Sequence, residues 1–141
     1  MKTPIIIFIF LTVFNSCSKD DGVTIDSTGY YGKWTLVAMS GSLPNSEVSG
    51  TAMAWQEFYI FKADGTFTKT RDSKSMTTTL SGTYTATSKE EGTSFELTYP
   101  NDSEIIGSCF GNKKEILLLT ANNSLSNTWN FCDGPSLKYR K

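Results

Sequence analysis

"W-Q-E-F-Y-I-F-K-A-D-G-T-F-T-K-T-R", Trp55 to Arg71, holds two strand-like runs on either side of one turn signal. Both runs are rich in aromatic and β-branched residues, the types that fit a pleated, half-buried surface. Asp64 followed by Gly65 marks a hairpin, because glycine takes the positive φ that a tight turn requires. In the first run Phe58 and Ile60 oppose Trp55, Tyr59 and Phe61, so the run alone does not say which face turns inward.

The same grammar repeats outward along the chain. "K-W-T-L-V-A-M", Lys33 to Met39, reads as a first strand, and a loop rich in Gly, Ser, Pro and Asn follows from Ser40 to about Ala52. "T-T-L-S-G-T-Y-T-A-T" and "T-S-F-E-L-T-Y" bracket the turn "K-E-E-G". In the second of these Phe95, Leu97 and Tyr99 alternate with Ser94, Glu96 and Thr98, the period of a strand with one dry face. "S-E-I-I-G-S-C-F", from Ser103, then meets "K-K-E-I-L-L-L-T" across Gly111 and Asn112, and a last run extends from Asn127 to the C-terminus. About eight strands joined mostly by hairpins, with no helical pattern, predict an all-β fold. The expected form is a small eight-stranded antiparallel up-and-down barrel. A β-sandwich fits the same periodicity.

The chain of 141 residues has room for one domain. Its 13 basic and 14 acidic side chains nearly cancel. No broad positive field invites nucleic acid or anionic headgroups.

At the N-terminus, Lys2 precedes ten residues, Ile5 to Phe14, that are apolar except for Thr12. A membrane-spanning helix needs roughly 20. The run has the length of a signal-peptide core. With Ser16 and Cys17 behind it, the segment resembles a bacterial lipoprotein signal, although Phe14 and Asn15 depart from the usual lipobox. The resemblance implies removal of residues 1–16 and acylation of Cys17, a membrane contact worth about 0.8 kcal/mol per buried methylene. "S-K-D-D" after Cys17 resembles the acidic export signal of Bacteroidetes surface lipoproteins, which implies anchoring in the outer membrane and exposure at the cell surface. A charged tether that suits either leaflet is the plainer reading. Residues 17–29 are polar and small, as a lipidated flexible tether would be. Within them "D-S-T", Asp26 to Thr28, is similar to the O-glycosylation sequon of the same bacteria, with Ser27 as acceptor.

The domain, residues 30–141, resembles the lipocalin-like domains of Bacteroidetes lipoproteins. The residues that carry this are "G-K-W" at Gly32–Trp34, "F-K-A-D-G-T-F" at Phe61–Phe67, "G-T-Y" at Gly82–Tyr84 and "L-K-Y-R" at Leu137–Arg140. The mid-chain Thr-Asp-Tyr element of typical lipocalins is missing, and the domain is shorter than theirs. The resemblance implies that Arg140, or Lys138, packs over Trp34 in a cation–π contact worth about 0.5–2 kcal/mol. It also implies a site for a small apolar or amphipathic ligand at the open end. The candidate walls are Trp55, Phe58, Phe67, Tyr84, Phe95 and Trp129, each of which core packing explains more simply.

Cys109 and Cys132 form an even pair in a chain read as exported, which suggests a disulfide. Closing a loop of about two dozen residues contributes roughly 3 kcal/mol. With the Glu115–Thr120 strand between them the two would lie about 9–10 Å apart, beyond the roughly 7 Å that a bridge spans. A loop or bulge around Gly107 to Gly111 would close the gap, and two buried free thiols are the other reading.

The chain has no histidine, which removes the usual base for serine or cysteine nucleophiles. Of the candidate carboxylates Glu57, Asp64, Asp72, Glu96 and Glu104, Asp64 is read as part of its turn, Asp72 as a loop residue, and Glu57 and Glu96 as solvent-facing strand residues. No metal site, phosphate-binding glycine loop or cofactor is expected. The sequence reads as a non-enzymatic binder of a small hydrophobic ligand. The second reading is an accessory module with a packed interior that docks an unnamed protein through the Gly41–Gly50 loop and Ser73–Thr79.

Overall fold

The structure, a computed structural model, describes residues 29–141. Residues 1–16, Cys17 and Ser27 lie outside the described residues. Among the described residues nine strands form in chain order: β1 (Gly32–Ser40), β2 (Val48–Ser49), β3 (Gln56–Phe61), β4 (Thr66–Ser73), β5 (Met76–Lys89), β6 (Gly92–Thr98), β7 (Lys114–Thr120), β8 (Ser124–Asn127) and β9 (Ser136–Arg140). Short 3-10 turns occupy Gly50–Ala52 and Trp129–Cys132. From β3 to β9 each strand pairs antiparallel with the next, β1 pairs with β3, and β9 returns to β1. That last pairing closes an eight-stranded up-and-down barrel and leaves no second sheet among the described residues. The two-residue β2 adds to β1 at Ala38 and Met39.

The opening hairpin sets the register. Phe61 faces Phe67, Tyr59 faces Lys69 and Glu57 faces Arg71. In the turn, Gly65 sits at φ 80°. The Asp64 carboxylate accepts from the Thr66 amide at 2.9 Å and its hydroxyl at 2.6 Å, and these bonds hold it below the usual carboxylate range. The dry face of β3 is Tyr59 and Phe61, while Phe58 and Ile60 are on the outside. A register shift between Leu36 and Ala38 changes the phase of β1, so that Trp34, Leu36 and Met39 all point into the core.

One expected strand is absent. Ser103 to Phe110 is irregular, an unexpected strand, β8, forms just before the predicted last run, and that run divides into the 3-10 turn and β9. The physical reason lies inside the barrel. The Ile105 carbonyl accepts from Lys69 Nζ at 2.6 Å and from Arg71 Nη2 at 3.3 Å, and the Gly107 amide donates to Glu115 Oε1 at 2.7 Å. Side chains take the backbone groups that a ladder would otherwise use.

Because the strands alternate in direction, the connections fall into two sets. Gly29, the β3–β4, β5–β6 and β7–β8 turns and the C-terminus share the entry end. The β1–β3, β4–β5, β6–β7 and β8–β9 connections share the far end.

Candidate functional site

Tracing the inward positions from the far end to the entry end shows what the barrel holds. The far half is charged. Glu57, Lys69, Arg71 and Glu115 are buried together. Lys69 Nζ lies 2.7 Å from Glu115 Oε1 and 3.5 Å from Glu57 Oε1, and Arg71 Nε donates to Glu57 Oε2 at 2.5 Å. The remaining carboxylate oxygen positions are taken by phenols: Tyr139 donates to Glu57 Oε1 at 2.5 Å, Tyr59 to Glu115 Oε2 at 3.1 Å, and Tyr99 to the same oxygen. Two carboxylates and two cations sum to no net charge. This is the condition under which burying ions does not leave an unpaired charge in a low dielectric. Burial and the neighbouring carboxylates push Tyr59, Tyr99 and Tyr139 well above the ordinary phenol range.

The entry half is aromatic. The Phe61 ring lies 5.0 Å from Tyr84 and 5.2 Å from Phe95, and Phe67 packs at 6.2 Å. Tyr30 enters from the chain start, with its ring 5.0 Å from Phe95 and its carbonyl accepting from Trp34 Nε1 at 2.8 Å. Tyr84 donates to the Lys62 carbonyl at 2.6 Å, and desolvation pushes its phenol up to about 12.

The predicted wall residues therefore scatter. Phe67 and Phe95 are buried in the core. Tyr84 is a half-buried member of the aromatic cluster. Phe58 is on the outer face, with Lys33 Nζ 4.1 Å from its ring centre. Trp55 stands at the far end, stacked on the Arg71 guanidinium at 4.1 Å, with its Nε1 buried and without a partner. Trp129 lies in the 3-10 turn, where a side chain at Gly134 would come within 2.4 Å of its ring. They do not line one cavity.

Two further expectations are corrected. Arg140 does not cover Trp34: paired with the outward Thr35, it reaches across the surface to donate to the Asn122 and Asn123 carbonyls at 2.8 and 3.2 Å. Lys138 also points out, 3.6 Å from Glu47 in an exposed pair. Glu57 is not solvent-facing, since it lies in phase with Tyr59 and Phe61 and meets Arg71. Cys109 and Cys132 are bridged, with Cα atoms 5.5 Å apart. The spacing objection falls away because neither is in a strand.

Core packing stops short of the entry end. The β5–β6 hairpin runs past the barrel rim, and inward positions there, Ala86 and Ser88, are exposed. Ser88, Thr93 and Leu119, with Tyr30 and Ala121, border an open cleft of about 790 Å³, with Lys89 and Glu90 on its rim. Sequence reasoning missed this mouth. The available signal was the length of the β-rich run before "K-E-E-G".

No family profile, characterised relative or solved structure matches the chain.

The buried network yields two expectations. Lys69→Met leaves Glu115 without its closest cation and is expected to cost about 3–5 kcal/mol in urea unfolding. Adding Glu115→Gln should cost much less than a second independent loss. Additivity within about 0.5 kcal/mol would show that the two side chains are not coupled. Because the three buried phenols have raised values in the fold and ordinary ones when unfolded, they stabilise the fold fully below about pH 10. That contribution is lost as pH rises from there towards their folded values. In an alkaline titration followed at 295 nm, their ionisation should coincide with the loss of near-UV circular dichroism. Ionisation of all six tyrosines before any loss of structure would contradict this.

Proposed function

We propose that the protein is a non-enzymatic binding module, anchored through lipid on Cys17 at the outer membrane surface, that takes a small amphipathic molecule at the entry-end mouth of its barrel. The observation that carries the reading is the cleft of about 790 Å³ built on inward-facing positions beyond the point where the core is filled. Its volume lies within the roughly 300–1,000 Å³ of ordinary ligand sites. Tyr30, Leu119 and Ala121 offer apolar contact to the ligand's body, while Lys89 and Glu90 meet its polar head at the rim. The interior below is occupied by side chains, so the ligand rests in the mouth and does not enter the barrel. Glu57 and Glu115 are each engaged by cations and phenols, which supports a role without catalysis.

The position of the cleft suits an anchored protein. It borders Gly29, and residues 17–29 extend at most about 45 Å from the acylated cysteine. The mouth thus stays within reach of the lipid surface, a source of amphipathic molecules.

The test uses 1-anilinonaphthalene-8-sulfonate and dodecanoate as probes on the chain carrying Cys17→Ser. One equivalent should bind. Ala121→Trp fills the cleft from an exposed turn and should weaken binding at least tenfold without changing the melting temperature. Phe110→Ser, at the far end, should leave binding unchanged. Binding that ignores Ala121→Trp, or that Phe110→Ser abolishes, would contradict the reading.

A further inference from the structure

The large apolar side chains left in solvent are not spread over the barrel. Apart from Val37 on the outer wall, the exposed ones among the described residues are Leu43 (77%), Met76 (61%), Phe110 (74%) and Phe131 (75%). Each belongs to a different connection. Leu43 is in the β1–β2 segment, Met76 at the β4–β5 turn, Phe110 in the β6–β7 loop and Phe131 in the turn before β9. All four connections lie at the far end. The entry-end turns, "A-D-G", "E-E" and "A-N-N", carry none.

The fold holds these residues in place. Cys109 and Cys132 are covalently joined, and Phe110 and Phe131 are their immediate neighbours. Chain geometry therefore keeps the two phenylalanine Cα atoms within about 13 Å of each other. The β6–β7 loop that carries Phe110 is pinned from inside by Lys69, Arg71 and Glu115 through Ile105 and Gly107. Exposed aromatics on a braced support lose little entropy on binding, which is the property of interface anchors.

The surroundings indicate the occupant. The far-end connections carry Asp102, Glu104 and Asp133, with Glu47 facing Lys138 at 3.6 Å, against Lys74 and Lys113. Beside the apolar tips, Asp102, Glu104 and Ile106 border a concavity of about 380 Å³. Two copies meeting end to end would oppose like charges, and an anionic lipid surface would be repelled. A protein with an apolar patch flanked by lysine or arginine is complementary to both features.

We infer that the far end is a docking face for a second protein of that kind, a basic-rimmed apolar surface that Phe110 and Phe131 anchor and Asp102 and Glu104 orient. The face is independent of the ligand mouth and points away from the chain's entry. A module anchored at one end thus presents its partner-binding loops at the other.

The test places a photo-crosslinking benzoylphenylalanine at Phe110, at Phe131 and, as control, at Ala121 in the full chain in its native cells. The first two positions should capture the same polypeptide and the control should not. With that polypeptide purified, Phe110→Ser and Phe131→Ser should each weaken binding at least tenfold with unchanged melting. Asp102→Asn/Glu104→Gln should flatten the salt dependence of binding. In parallel, the purified chain with Cys17→Ser should sediment as a monomer at about 100 μM and should not float with phosphatidylcholine–phosphatidylglycerol vesicles. Capture of the chain itself with a dimer in sedimentation, vesicle binding that Phe110→Ser abolishes, or no common partner would each overturn the inference. None of these outcomes bears on the probe binding at the mouth.

Discussion

Glu57 opposite Arg71 and Lys69 against Glu115 is the arrangement on which the rest of this structure depends. Four charges buried in a barrel this small are costly to desolvate, and they are tolerated because each is met by an opposite charge, a phenol or a backbone group. Satisfying them fixes the register of β3 against β4, brings Tyr59, Tyr99 and Tyr139 into one cluster and draws Ile105 and Gly107 inward. The loop whose apolar residues mimic a strand is drawn in at the barrel's far end. A network of this kind favours one arrangement, because any register slip would leave a charge without its partner.

The consequence for function is that the interior is used for stability. Charge fills the far half and aromatic rings fill the entry half, which leaves little room for a deep calyx inside the barrel. What remains lies at the ends, and the two ends differ in chemistry. The entry end has short polar turns, a protruding hairpin and a cleft where packing stops. The far end has four connections, each bearing one exposed apolar side chain, with two of them tied by a disulfide. The difference leaves two chemically distinct surfaces, an open cleft at one end and exposed apolar loop side chains at the other.

Most of the fold was legible in the sequence because hairpin signals are local. Asp64–Gly65 and "K-E-E-G" each place a turn without knowledge of anything distant, and clean alternation in Ser94 to Tyr99 shows the dry face directly. Ser103 to Phe110 was misread because its apolar residues mimic a strand, while the groups that hold it, on Lys69, Arg71 and Glu115, are distant in sequence. Lys69 and Arg71 sit in phase with Phe67, and Glu57 with Tyr59. The alternation thus already marked them as inward, but charged residues default to solvent, and only their opposite partners across the hairpin justify burial. Arg140 was misplaced for a simpler reason: its register opposite Thr35 turns it outward. The entry cleft depends on where packing ends, which no local pattern records.

The most direct measurement is a pair of ¹H–¹⁵N correlation spectra, one of the backbone amides and one of the lysine side-chain ammonium groups, recorded through a titration with 1-anilinonaphthalene-8-sulfonate. The account predicts a sharp, slowly exchanging Lys69 ammonium signal that does not move. It also predicts amide shifts confined to the residues around Gly29–Tyr30, Ser88–Thr93 and Leu119–Asn123. A Lys69 signal that exchanges freely with water, or that shifts together with Tyr59 and Phe95 as the probe is added, would mean that the barrel opens and binds within. The claim of a sealed interior working through its ends would then fail.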